Sequence, residues 1–188
     1  MQFRILEITE TDQFQFLRIY KNGNLSVQSC IVENYPEKFI LNSNSPAKNK
    51  PRFAIIRDPY ERFISGLAYD LKRHKVDVKD VELKKLFTTN EMHLRNTMSG
   101  NINHSVSQIP YLMNSGITHY IEMKDLNLFL QMHFNTVKHL NKSEITKNEI
   151  EEYLDKKEVM KYLHLDYYVY NSIIRSPFLW EWQHGRIF

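Results

Sequence analysis

The stretch F-A-I-I-R-D-P-Y-E-R-F-I-S-G, residues 53–66, decides how this chain folds. Residues 52–56 form an apolar run of the length expected for a buried strand. At Asp58 the pattern changes. Aspartate caps helices, Pro59 suits the first helical position because no N–H is needed there, and Glu61 stands where a capping box needs an acid. Tyr60, Ile64, Leu67 and Leu71 follow at helical spacing and predict the buried face. Arg62, Ser65 and Tyr69 form a separate stripe, which leaves Ser65 open to a ligand. Parallel α/β sheets gather ligands at the carboxyl ends of their strands. Arg57 stands at such an end, and Ser65 lies eight residues later, two turns into the helix. A guanidinium can grip phosphate with two N–H donors, and a helix hydroxyl beside it can take another oxygen. In the plainer reading Arg57 pairs with Asp58 or Glu61, and Ser65 is an ordinary surface residue of a capped helix.

Upstream, K-N-G-N-L-S, residues 21–26, repeats the design after the apolar run F-Q-F-L-R-I-Y, residues 14–20. Gly23 lets the backbone come close to an anion, and the amides of the following helix point at it with the positive end of the helix dipole. Ser26 adds a hydroxyl at the helix start, and Lys21 adds a positive charge. A Walker A loop has Lys after its second Gly, whereas here Lys21 precedes the single Gly of the loop. The plainer reading is an exposed lysine beside a turn glycine. Taken together, two anion sites on neighbouring strand ends predict a ligand that carries phosphate at both ends.

The rest of the chain frames these loops. Its 188 residues favour a single domain, residues 1–188, with a real core. With 42% hydrophobic and 13% aromatic residues it is globular in composition. A formal charge of +3 does not by itself imply nucleic acid, yet allows a local basic pocket. Cys30 is the one cysteine, which excludes an intramolecular disulfide, argues against a cysteine-based zinc site and suits a reducing compartment. No apolar run approaches the roughly 20 residues that span a bilayer, so a cytoplasmic protein without membrane partners is expected. Residues 1–8 are expected to pair with 14–20 through a turn at T-E-T-D-Q, and a short helix is expected over 26–34. A short strand is expected over 38–41, a polar loop over 42–51, short helices over 81–87 and 91–98, and a third core strand over 119–123. Asp125 should cap a helix to about Phe134, and two closing helices are expected over 143–155 and 158–174. Alternating strands and helices predict an α/β fold: a central, mainly parallel sheet flanked by helices, with extra C-terminal helices.

The motif R-D-P-Y-E-R-F-I-S resembles the 3′-phosphate motif of the PAPS-dependent sulfotransferases, the carbohydrate group above all, at Arg57, Asp58, Pro59, Glu61, Arg62, Phe63 and Ser65. K-N-G-N-L-S resembles their 5′-phosphosulfate loop at Lys21, Gly23 and Ser26, with Leu25 in place of the usual Thr and one hydroxyl fewer. H-S-V-S-Q-I-P-Y-L (104–112), T-H-Y-I-E-M-K-D-L (118–126) and Y-L-H-L-D-Y-Y-V-Y-N (162–171) resemble the family's later segments. The resemblance implies a P-loop-NTPase-like three-layer fold and transfer of a sulfonate from 3′-phosphoadenosine 5′-phosphosulfate (PAPS) to a hydroxyl or amine. The product is 3′-phosphoadenosine 5′-phosphate (PAP), the acceptor is a small molecule or saccharide, and neither a metal nor nucleic acid is required.

It assigns the donor to Lys21, Asn22, Gly23, Asn24, Leu25, Ser26, Arg57 and Ser65, with Lys21 stabilising the charge that develops on the leaving group. For the base that takes the acceptor's proton, His104 is the first candidate, Glu33 the second and His74 the third. Trp180 and Trp182 are expected to cap the core, with stacking on a sugar as the alternative, and Arg186 is a further candidate for the 3′-phosphate. His119, His133, His139, His164 and His184 lack zinc-ligand spacing. Two other readings stay open at this point. One is a nucleotide or nucleoside kinase-like enzyme, which the Lys–Gly order disfavours. The other is a catalytically inactive module that binds PAP or nucleic acid.

Overall fold

The structure, a computed structural model, describes residues 7–37, 39–42, 50–82, 107–112, 115–136, 147–181 and 185–188. The expected helices over 81–87 and 91–98 lie almost wholly outside these residues, as does most of the 42–51 loop. Contacts divide the chain into two units. The first comprises Met1–Arg57, Gln108–Asn141 and Val169–Phe188, and the second Asp58–Ser107 and Lys142–Tyr168.

The first unit holds the sheet. Strands β1 (Glu7–Glu10) and β2 (Gln15–Leu17) form an antiparallel hairpin that pairs Ile8 with Leu17. Its turn is tied by the Thr11 hydroxyl, whose Oγ1 accepts from the N–H groups of Gln13 and Phe14. So short a link permits only an antiparallel pair. After helix α1 (Asn24–Asn34) the chain returns as β3 (Phe39–Asn42), antiparallel on the far side of β1. Strand β4 (Arg52–Ile56) then lies parallel to β2, and β5 (His119–Glu122) lies parallel to β4. The order is β3-β1-β2-β4-β5. The α/β expectation holds, with parallel strands at the loops of interest. The sheet is mixed, because the N-terminal hairpin and β3 add an antiparallel half.

Strand alternation builds two apolar faces. Phe16, Phe53, Ile55 and Ile121 point to one face. They meet Val27, Cys30 and Ile31 of α1, and Leu126, Phe129, Leu130 and Phe134 of a later helix (Leu126–Phe134). Each buried phenylalanine or leucine here is worth roughly 1.5–3 kcal/mol relative to exposure. Leu17, Ala54 and Ile56 point to the other face, against Tyr111 and Leu112 of the short helix α3 (Ile109–Leu112) and Ile173 of a closing helix. The Leu126–Phe134 helix is α4 in chain order. Its N-cap is Asp125, the last residue of a 3-10 turn, Met123–Asp125, and the Asp125 side chain makes no capping hydrogen bond. Trp180 is buried on the first face and donates its indole N–H to Gly185 O at 2.9 Å, so it caps the core as expected. Trp182 lies outside the described residues.

The second unit is helical. Helix α2 (Pro59–His74) starts where the sequence says it should: Asp58 is its N-cap and accepts from Glu61 N–H at 3.0 Å. Tyr60, Ile64, Leu67 and Leu71 are all buried, joined by Phe63 and Ala68. They pack on Ile150, Leu154, Val159 and Leu163, from or beside α5 (Lys147–Glu151) and α6 (Lys156–Tyr162). The stripe of Arg62, Ser65 and Tyr69 does not behave as one face. Tyr69 is exposed and Ser65 half-buried, but Arg62 is 2% exposed and Asp70, next to Tyr69, is 1% exposed. This helix is covered on more than its apolar side. The single closing helix expected over 158–174 is two helices, α6 and α7 (His164–Ile174). They break at Leu163, whose N–H reaches both Val159 O and Met160 O and so tightens the turn. The last turns of α7 belong to the first unit.

Among the described residues, no helix is long and apolar enough to cross a membrane.

Candidate functional site

The two loops singled out by sequence follow β2 and β4, which are adjacent and parallel. Both therefore open at the same edge of the sheet. The guanidinium of Arg57 reaches across that edge, and its Nη1 donates to the backbone carbonyl of Lys21 at 3.3 Å. Lys21 and Arg57 are thus neighbours, each half-buried.

The backbone of the first loop is unusual. Lys21 has φ 66° and Gly23 φ 69°, both left-handed. For Gly23 this costs nothing, whereas for a lysine it costs on the order of 1 kcal/mol. Gly23 is needed for a second reason. A Cβ there would lie 2.5 Å from Leu126 Cδ2 and 3.0 Å from Met123 Sδ. The loop is pressed against the turn that follows β5, and only glycine fits.

Gly23 serves as the helix N-cap, with no side chain capping the first turn. Helix α1 consequently starts at Asn24, two residues earlier than expected. Ser26 is therefore inside the first turn and is buried, as is Asn24, while Leu25 is 43% exposed. The N-terminal amides and the dipole remain the anion-attracting elements of this loop.

Asn22 turns inward instead of toward a ligand. It is 1% exposed, and its Nδ2 donates to Ile55 O at 2.8 Å and to Gln108 Oε1 at 3.2 Å. Gln108, also 1% exposed, donates its Nε2 to Arg57 O at 2.9 Å. Asn22 Oδ1 is buried and has no hydrogen-bond partner among the described residues. Gln108 falls within the H-S-V-S-Q-I-P-Y-L motif, but nothing in the sequence says that it touches both loops. The usable signal was a polar residue next to the apolar turn I-P-Y-L.

The end of β5 adds a third element to this edge. Glu122, paired in register with Ile56, is 7% exposed. It accepts from the Tyr170 hydroxyl and is ion-paired to Lys124, whose pKa the carboxylate raises.

The other candidates disperse. Ser65 belongs to the second unit and Arg57 to the first. Glu33 is exposed near the end of α1 and accepts from Ser29 Oγ at 3.3 Å. Nine residues of helix put it roughly 13 Å along the axis from Asn24, far beyond the reach that a base needs at Lys21. His104 lies outside the described residues, and His74 ends α2 in the second unit. Arg186 lines a cavity with His119, Pro177 and Trp180. His119 begins β5, so Arg186 sits at the amino end of the strands, opposite Arg57, and is not a partner for the same phosphate.

The D-Y-x-x-Y part of the closing motif is occupied in fastening the fold. Asp166 accepts from Ser107 Oγ at 2.8 Å, and Tyr167 donates to both carboxylate oxygens of Asp58 at 3.0 Å. Against protein-family models, curated proteins and solved structures, the chain finds no match.

Proposed function

We propose that this protein is a PAPS-dependent sulfotransferase that moves a sulfonate to a hydroxyl or amine of an acceptor, a carbohydrate being the class the motifs favour. One observation carries the reading. The Lys21 loop and Arg57 share one edge on adjacent parallel strands, within hydrogen-bonding distance of each other. A donor charged at both ends needs such a pair of cradles. The sheet has helices on both faces and a loop–helix turn at the carboxyl end of β2, which supports a P-loop-NTPase-like layering.

In this reading the first-turn amides of α1 hold the 5′-phosphosulfate with Lys21, and Arg57 takes the 3′-phosphate. The acceptor oxygen attacks sulfur, and the bond from sulfur to the 5′-phosphate oxygen breaks. PAP leaves with that electron pair, and the acceptor's proton passes to a base. Lys21 stabilises the charge gathering on the leaving oxygen. Fixed cradles also align the sulfur for in-line attack, so part of the rate comes from positioning. No step asks for a metal. The one cysteine, buried in α1, suits a cytoplasmic location.

Calorimetric titration with PAP, ATP and GTP tests the proposal. PAP should bind without Mg²⁺, and Arg57→Ala should weaken it at least tenfold. Tight, Mg²⁺-dependent ATP binding with indifference to PAP would replace the sulfotransferase with a kinase-like enzyme. PAP affinity with no sulfonate transfer to any acceptor would leave a binding module.

A further inference from the structure

Resting on the donor site proposed above, we infer that Gln108, acting with Asn22, is a positioning residue. It fixes the spacing of the two phosphate cradles, so the site recognises a nucleotide carrying both a 3′- and a 5′-phosphate as a unit of set length. The β2–β4 ladder ends at Leu17 paired with Ala54, and beyond it the Lys21 loop passes through two left-handed residues. A chain of side-chain bonds ties the loop to β4. Asn22 Nδ2 holds Ile55 O and Gln108 Oε1, and Gln108 Nε2 holds Arg57 O. Arg57 Nη1 returns to Lys21 O. Asn22 and Gln108 are buried, so these bonds are made at low dielectric and resist exchange with water. Both N–H groups of the Asn22 amide are committed, and among the described residues its buried oxygen has no partner. A fold does not ordinarily leave such an atom, and the strained positions of proteins gather at ligand-binding loops. The geometry therefore reads as a brace between two loops.

A brace predicts an effect confined to ligands that bridge it. Three probes separate the cases: PAP carries both phosphates, 3′-AMP only the first and 5′-AMP only the second. Gln108→Met keeps the volume and removes both hydrogen bonds. It should weaken PAP at least tenfold while moving each monophosphate less than threefold, because each cradle remains intact by itself. Gln108→Glu is the charged control. Glutamate would add a charge that repels every phosphate, so the weakening should reach all three nucleotides there. The neutral Gln108→Leu, which also lacks both hydrogen bonds, should give the Met pattern and takes its place should the Met variant fail to fold. Unchanged PAP affinity, or equal weakening of all three nucleotides, in the neutral variants overturns the brace while leaving the donor site standing. Failure of the unsubstituted protein to bind PAP removes the donor site, and the brace with it.

Discussion

Replacing Gly23 by alanine tests the loop geometry most directly. The backbone there has φ 69°, where an L residue costs about 1–2 kcal/mol. The new methyl carbon would also lie 2.5 Å from Leu126 Cδ2 and 3.0 Å from Met123 Sδ. Something must shift, and Leu126 is a buried core residue at 4% exposure, so it has little room. Overpacking of this kind costs about 1–3 kcal/mol. The combined loss is about 2–5 kcal/mol, or roughly 5–15 °C in melting temperature for a chain of this size. Urea unfolding followed by circular dichroism gives the free energy, and Gly23→Ala/Leu126→Ala gives the coupling. Removing the leucine side chain relieves the clash but not the φ strain. The double variant should therefore be more stable than the sum of the single losses by about 1 kcal/mol or more. A Gly23→Ala loss below about 1 kcal/mol, or strict additivity with Leu126→Ala, would refute the close approach of the loop to the turn after β5.

Lys21→Ala should keep PAP affinity within about tenfold, roughly 1.4 kcal/mol, while transfer from labelled PAPS falls about 10²–10³-fold; unchanged turnover removes Lys21 from the mechanism. Asp58→Ala should cost about 2 kcal/mol, one part for the lost N-cap and one for the two Tyr167 bonds, and Tyr167→Phe should cost less than half of that in the same urea assay. His133 accepts from Ile187 N–H at 2.9 Å, and burial, helped by nearby Arg186, pushes its pKa down to about 4. The neutral ring is favoured in the folded state, so this contribution is whole above about pH 6.5 and is lost as pH falls from there toward 4. The gap corresponds to about 3 kcal/mol at most, and solvent screening at a half-buried site brings it nearer 1–2. His133→Phe should flatten stability between pH 6.5 and 4, and an unchanged slope would place the acid sensitivity elsewhere.

Much of this molecule is written locally. Residues 52–56 form β4 at the expected bounds, and Asp58, Pro59 and the stripe from Tyr60 to Leu71 start and orient α2 as their spacing dictates. Capping and apolar periodicity act over a few residues, so a reader of the sequence sees their causes entire. The direction of β1 against β2 is equally local, because a short turn admits only one sense. Boundaries were less legible. The start of α1 is Asn24 rather than Ser26 because Gly23 takes the cap, and the space beside Gly23 is filled by Leu126, more than a hundred residues away. The break at Leu163 follows from burial against α2, which no pattern within 158–174 records.

For the site, the sequence by itself determined which residue types stand after which strands: Lys21 and Gly23 after one, Arg57 after the next. The structure bears out that those strands are neighbours, and only it decided that Asn22 turns inward to Gln108 and that Arg186 belongs to the opposite end. The physical reason is reach. Propensity, capping and turn chemistry are short-range and additive along the chain. A strand order, or a hydrogen bond between residues 22 and 108, exists only once the whole core has closed around it.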